Sequence, residues 1–129
     1  MSDDTVKRFV ALAAKLVKED ELVAAEGAAE AALAIAPAAH DAWVVLGTVH
    51  ARKKRHERAV VCFEQAIALD PTDVASHVDL GELLLELGAY ARASAALDRA
   101  MTLDPKAAHP SGRRARAIVA KTLSKLRAL

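Results

Sequence analysis

Apolar positions recur at helical spacing along this chain, and no segment alternates apolar and polar residues as a strand would. In the first stretch Val6, Phe9, Val10, Ala13, Leu16 and Val17 share one face. Ser2, Asp3 and Asp4 precede them as N-cap candidates and first-turn acids, so a helix is predicted to about Lys18. Glu19, Asp20 and Glu21 mark a turn, and the helical pattern resumes over 22–34 through Ala25, Ala28, Ala29 and Ala32. Pro37 stops it, because proline lacks an amide proton and clashes with the preceding turn. Four further helices are predicted near 40–53, 57–69, 74–87 and 90–103, with Gly88 ending the third of these as a C-cap glycine. A last helix, at about 110–128, carries Ala115, Ile118, Val119, Thr122, Leu123 and Leu126 as an apolar stripe, with Ser111 placed to cap it. The fold class is all-α.

The pattern repeats every 34 residues. Pro37, Pro71 and Pro105 keep that step, as do Ala32, Ala66 and Ala100, then Ala25, Ala59 and Ala93, then Leu12, Leu46 and Leu80. Gly47 and Gly81 recur where the first copy has Ala13. A fixed period of this length in a helical pattern marks a stacked array of helix–turn–helix units, here about 6–39, 40–73 and 74–107. An array leaves its last apolar face uncovered, and the helix at 110–128, apolar on one side and basic on the other, suits the role of cap. Small residues at Ala25, Ala59 and Ala93, and glycine at 47 and 81, point to close helix pairing. Glycine costs about 1 kcal/mol inside a helix and so implies a packing reason.

Composition narrows the picture. The 129 residues fit one domain, and the chain is 53% hydrophobic but only 3% aromatic, with alanine supplying much of the apolar share. No run approaches the roughly 20 apolar residues needed to span a bilayer, and the N-terminus has no signal-peptide pattern. A cytoplasmic location is the expectation. The net charge of +1 hides an asymmetry: seven basic and no acidic residues follow Asp104, leaving 11 basic against 17 acidic over residues 1–105. Arg52, Lys53, Lys54 and Arg55 form a basic turn, expected to be neutralised by the Glu19–Glu21 turn of the preceding repeat.

Catalytic chemistry finds no support. Cys62 is alone, which excludes an intrachain disulfide and a cysteine cluster, and it reads as a small packed hydrophobe. His50 and His56 flank a turn and read as solvated; the five histidines offer no metal-ligand spacing. There is no phosphate-cradling glycine loop and no nucleophile–base arrangement. No cofactor, metal or small-molecule substrate is expected, and the chain is not read as an enzyme.

The residues resemble the tetratricopeptide repeat. In the second copy Trp43, Leu46, Gly47, Ala59, Phe63, Ala66 and Pro71 stand at that family's skeleton positions. The third keeps Leu80, Gly81, Tyr90, Ala93, Leu97, Ala100 and Pro105 but has His77 in place of the tryptophan; the first is weaker. The resemblance implies a right-handed superhelix whose concave surface is lined by the first helix of each repeat. By register its peptide-binding positions would be Val10, Ala14 and Val17, then Asp41, Val44, Val45, Thr48 and Arg52, then Val78, Asp79, Glu82 and Glu86. That face is apolar in two repeats and acidic in the third, which implies an apolar partner segment carrying basic residues. Glutamate at Val45 and Val78 would then block capture without loss of helicity. The alternative is that some of these valines pack under neighbouring repeats or in a homodimer.

Heat-shock co-chaperones of this family grip a C-terminal carboxylate with Lys, Asn and Arg. Val10, Ala14, Val45, Ala75 and Asp79 occupy those positions here, so that activity is not implied. The chain also looks like the small bacterial chaperones of type III secretion translocators, although no longer N-terminal helix precedes the array. A reading of another class is an adaptor that binds nucleic acid or an anionic membrane through the basic last helix. Without interleaved aromatics, and with its apolar stripe needed for capping, that reading ranks behind protein binding.

Overall fold

The computed structural model describes residues 3–129, and among them every regular element is a helix. Ser2, named above as an N-cap candidate, lies outside the described residues. The chain falls into two compact units, Met1–Pro71 and Thr72–Leu129. The first contains α1 (Asp3–Lys18), α2 (Leu22–Ile35), α3 (His40–Arg52) and α4 (His56–Leu69). The second contains α5 (Val74–Glu86), α6 (Tyr90–Leu103) and α7 (Pro110–Arg127). Each boundary lies within a few residues of the one the apolar period predicts.

Helices pair α1 with α2, α3 with α4 and α5 with α6, and alanine and glycine make the pairing close. Ala25, Ala29 and Ala32 of α2, Ala59 and Ala66 of α4, and Ala93 and Ala100 of α6 have no exposed surface. A Cβ on Gly47 would stand 2.7 Å from Cε1 of Phe63, and one on Gly81 would stand 2.8 Å from Cγ of Leu97. Leu97 follows Phe63 by one period, so both glycines admit the same neighbouring side chain. In the first unit α3 stacks on α2 and α1: Leu46 joins Ala13, Ala28, Ala29 and Cys62, while Val49 joins Val17 and Ala25. Leu12, one period before Leu46, is 46% exposed.

The turns inside the hairpins share one geometry. After α1, α3 and α5 the chain enters the left-handed region at Asp20, Lys54 and Gly88, with φ of 60°, 61° and 76°. The amides of Glu21, Arg55 and Ala89 donate back to the carbonyls of Leu16, His50 and Leu84 at 2.8, 2.8 and 2.9 Å. Those of Asp20, Lys54 and Gly88 donate to Val17, Ala51 and Leu85. This paired bond closes a Schellman motif, which glycine suits best because it has no Cβ to clash. Gly88 therefore caps α5 as expected, whereas Lys54 holds the same turn under strain. Lys54→Gly is expected to raise stability by about 1 kcal/mol, the left-handed penalty of a side-chain-bearing residue less the added chain entropy. A chemical-denaturation midpoint that does not rise would refute this.

The last helix begins differently from expectation. Pro110 occupies its first turn, which places His109 rather than Ser111 at the N-cap. The Nδ1 of His109 accepts the Ser111 amide at 3.0 Å. Proline needs no partner for an amide proton it lacks, so the helix starts two residues earlier than a serine cap would set it. The approach to α7 is anchored by buried Asp104, whose carboxylate accepts the amides of Ala108 at 3.0 Å and His109 at 2.9 Å. Burial works to raise the Asp104 carboxyl, but those amides and nearby Arg116 and His109 outweigh it and hold it below the usual range. Gly112 lies against this carboxylate, where a Cβ would collide with Oδ2. Ala115, Ile118 and Val119 of α7 then close the core of the second unit with Val74, Val78, Leu97 and Ala100.

Candidate protein-binding surfaces

In the first unit Lys7, Val10, Ala14 and Lys18 step along one side of α1, and Asp41, Val44, Thr48 and Arg52 along one side of α3. On α3 this stripe runs between two buried seams: Ala42, Leu46 and Val49 meet the preceding hairpin, while Gly47 meets Phe63 of α4. Val10, Ala14, Val44 and Thr48 are half-buried, leaving apolar surface on both first helices. The polar groups of this stripe are partly engaged. The Thr48 hydroxyl donates to the Val44 carbonyl at 3.0 Å. Asp41 accepts from His40 at 3.0 Å and is itself exposed. Arg52, also exposed, donates to the Val17 carbonyl at 2.9 Å, placing a cation at the C-terminal end of α1 where the helix dipole favours it.

Two of the proposed site positions belong to the interior, and a third is half-buried against it. Val17 is buried with Ala25 and Val49, and Val45 is half-buried against the same cluster. Val78 has no exposed surface at all, lying in the core that α7 completes. The expectation that Val78 faces a partner is corrected by this burial. The packing alternative holds for Val17 and Val78, and largely for Val45.

In the second unit Asp79 does not stand open as an acidic lure. Arg114 of α7 makes an ion pair with it. Burial pushes the Asp79 carboxyl up, and Arg114 offsets this only in part. Glu82 and Glu86 remain exposed on α5, four residues apart and on one side of the helix. The basic residues of α7 are likewise partly engaged. Arg113 donates to the carbonyls of Ala107 and Ala108, and Arg116 to those of Gly112 and Asp104. With Arg114 on Asp79, three of the seven late cations hold the fold of α7, while Lys106, Lys121, Lys125 and Arg127 are exposed.

The basic turn finds its partner elsewhere than the periodicity suggested. Lys53 and Arg55 both pair with Glu26 of α2, at 3.2 and 2.9 Å, rather than with residues 19–21. Glu26 is more sheltered than the turn acids. Burial works to raise its carboxyl, and Lys53 and Arg55 overcome this and lower it. Glu19 instead lies 3.8 Å from Lys15 on its own helix.

The histidine reading also changes. His50 is 6% exposed, and His56 is half-buried; the Nδ1 atoms of both are shut off from solvent with no hydrogen-bond partner. Cys62 is buried, and burial pushes its thiol up to about 11, so it is protonated at neutral pH. Among the described residues no three His, Cys, Asp or Glu side chains come together as a metal site. No helix among them is long and apolar enough to cross a membrane.

Hairpins of this geometry, in copies 34 residues apart, define a helical-repeat protein that works by presenting helix surfaces to other chains. A tetratricopeptide repeat model matches residues 46–123 and a second matches 11–62, and the chain belongs to the tetratricopeptide repeat family. The cell division cycle protein 27 homolog of Caenorhabditis elegans is 32% identical over 65 residues. That match takes in 50% of this chain, which spans only 8% of the relative's length. The Yersinia enterocolitica secretion chaperone SycD, in complex with a peptide of the translocator YopD, superposes with a TM-score of 0.83 at 19% identity. That likeness covers 98% of this chain and 95% of the other. The complex of the yeast Sti1 TPR2B domain with pHsp70 gives a TM-score of 0.86 at 18% identity, over 95% of this chain and 99% of that one. Both structural likenesses are of fold. The fold and family indicate protein–protein interaction.

Proposed function

We propose that this chain is a non-enzymatic scaffold or chaperone that holds an apolar segment of a partner protein on the first helices of its repeats. The observation that carries the reading is the half-buried stripe of Val10, Ala14, Val44 and Thr48, an apolar strip on α1 and α3 flanked by charged ends. On the second unit, taken by itself, the exposed Glu82 and Glu86 of α5 favour basic residues in a bound segment. The test is selection of short peptides from a display library against the whole chain. Enrichment of aliphatic residues accompanied by Lys or Arg is expected. Val44→Glu should weaken the selected peptides about tenfold or more while leaving circular dichroism unchanged. Equal binding to that variant would reject the reading.

The end-to-end likeness to SycD supports a narrower version, in which the held segment belongs to a secreted substrate. Binding of nucleic acid or anionic membrane through α7 is disfavoured by the internal engagement of Arg113, Arg114 and Arg116.

A further inference from the structure

In the second unit α7 outruns the hairpin it covers. It begins beside Asp104, at the close of α6, and its Arg114 meets Asp79 of α5. Ile118 and Val119 then pack on the same core as Leu85, so α7 runs alongside α5 in the same direction. Seven residues beyond that ion pair come Glu86, where α5 ends, and Lys121 of α7. With 18 residues against 13, α7 continues to Arg127, about 9 Å past the end of α5 at the rise of a helix.

Four large side chains are left uncovered at this end. Leu87 and Tyr90 beside the α5–α6 turn, and Leu123 and Leu126 on the overhanging part of α7, are between 44% and 68% exposed. Leu123 and Leu126 prolong the stripe that starts with Ala115, Ile118 and Val119, so an apolar face runs out of the core into solvent. Apolar side chains gathered in this way mark an interaction site. Charge of both signs accompanies them: Glu82 and Glu86 on α5, and Lys121 and Lys125 on α7, all exposed. Among the described residues none of these four takes part in an ion pair, although Asp79 and Arg114 do so between the same two helices.

We propose that this end of the second unit is the contact between two copies of the chain, related by a twofold axis. A twofold contact sets one patch against itself, so the patch must be self-complementary. Here the leucines of one copy meet those of the other at the axis. Lys121 and Lys125 of each copy then reach Glu82 and Glu86 of the other, and opposite charges meet at both helices. A partner of a single charge sign, or an anionic bilayer, would meet like charge on one of the two helices. The contact is independent of the stripe on α1 and α3, which belongs to the first unit.

The test is sedimentation equilibrium of the full chain, 13.7 kDa as a monomer, from low to high micromolar concentration. A species of twice that mass is expected. Leu126→Ser, at an exposed position, should weaken dimerisation about tenfold or more with circular dichroism unchanged. Val44→Glu should leave the dimer intact, which separates this contact from the stripe on α1 and α3. Charge reversal gives the sharper reading. Lys121→Glu with Lys125→Glu in one chain, and Glu82→Lys with Glu86→Lys in another, should each be monomeric, because like charges then face each other across the axis. An equimolar mixture of the two should recover a dimer, since each chain now offers the other the opposite charge. Pairing confined within one chain would not be restored by mixing. A monomer at every concentration, a dimer that survives Leu126→Ser or is lost in Val44→Glu, or a mixture no more dimeric than its components would each overturn the proposal.

Discussion

Val78→Glu is expected to unfold much of the second unit. Val78 has no exposed surface and packs among Val74, Leu97, Ala100 and Ala115, with Leu85, Ile118 and Val119 at the edges. A carboxylate placed there enters an apolar cluster, and Arg114 of the covering helix is already held by Asp79. Burying an unpaired charge costs on the order of 3–5 kcal/mol, a large part of the stability of a domain this size. Thermal or urea denaturation followed by circular dichroism should show a lowered midpoint and lost helicity. Val44→Glu is the control: a half-buried position where the charge can reach water, expected to shift stability by about 0.5 kcal/mol or little more. A Val78→Glu chain as stable as the parent would contradict the core drawn here. The choice of Val78 as a surface position to mutate, natural from its register, is for the same reason unsuitable.

Gly47→Ala should be destabilising even though alanine is the better helix former. The new methyl would lie 2.7 and 2.9 Å from Cε1 and Cδ1 of Phe63. Phe63 is almost fully buried, so its ring cannot swing aside into solvent. Overpacking of this kind costs roughly 1–3 kcal/mol against the about 1 kcal/mol that alanine returns in helix propensity, a net loss of up to about 2 kcal/mol. The decisive measurement is a double-mutant cycle. Phe63→Ala alone leaves a cavity, but paired with Gly47→Ala it removes the collision, so the combined loss should fall short of the sum by about 1 kcal/mol. Strict additivity would show that the glycine is not there for the phenylalanine. Gly81 and Leu97 pose the same test one period later.

The repeat skeleton was legible because its cause is local and periodic. A helix that pairs closely needs a small residue once per hairpin, and a chain that turns every 34 residues shows prolines and alanines at that step. Helix ends followed from the same signals, with Gly88 correct and the expected cap at Ser111 displaced by two residues to His109 through Pro110. The candidate surface was less legible. Register placed twelve residues on one face, yet Val17 and Val78 are interior, Asp79 is paired and Arg52 caps α1. Periodicity reports which residues share a side of a helix, not how wide the neighbouring helix is or where its long side chains end.

By itself, then, the sequence determined the all-α class, the helix boundaries, the hairpin pairing and the kind of protein, since each depends on contacts a few residues or one period apart. Only the tertiary structure decided which equivalent valines are covered and which carboxylate meets the basic turn. It alone revealed the Nδ1 of His50 as a buried group without a partner. Those outcomes depend on the reach of individual side chains between helices, where one buried methyl or one guanidinium changes the answer and no repeat in the sequence records it.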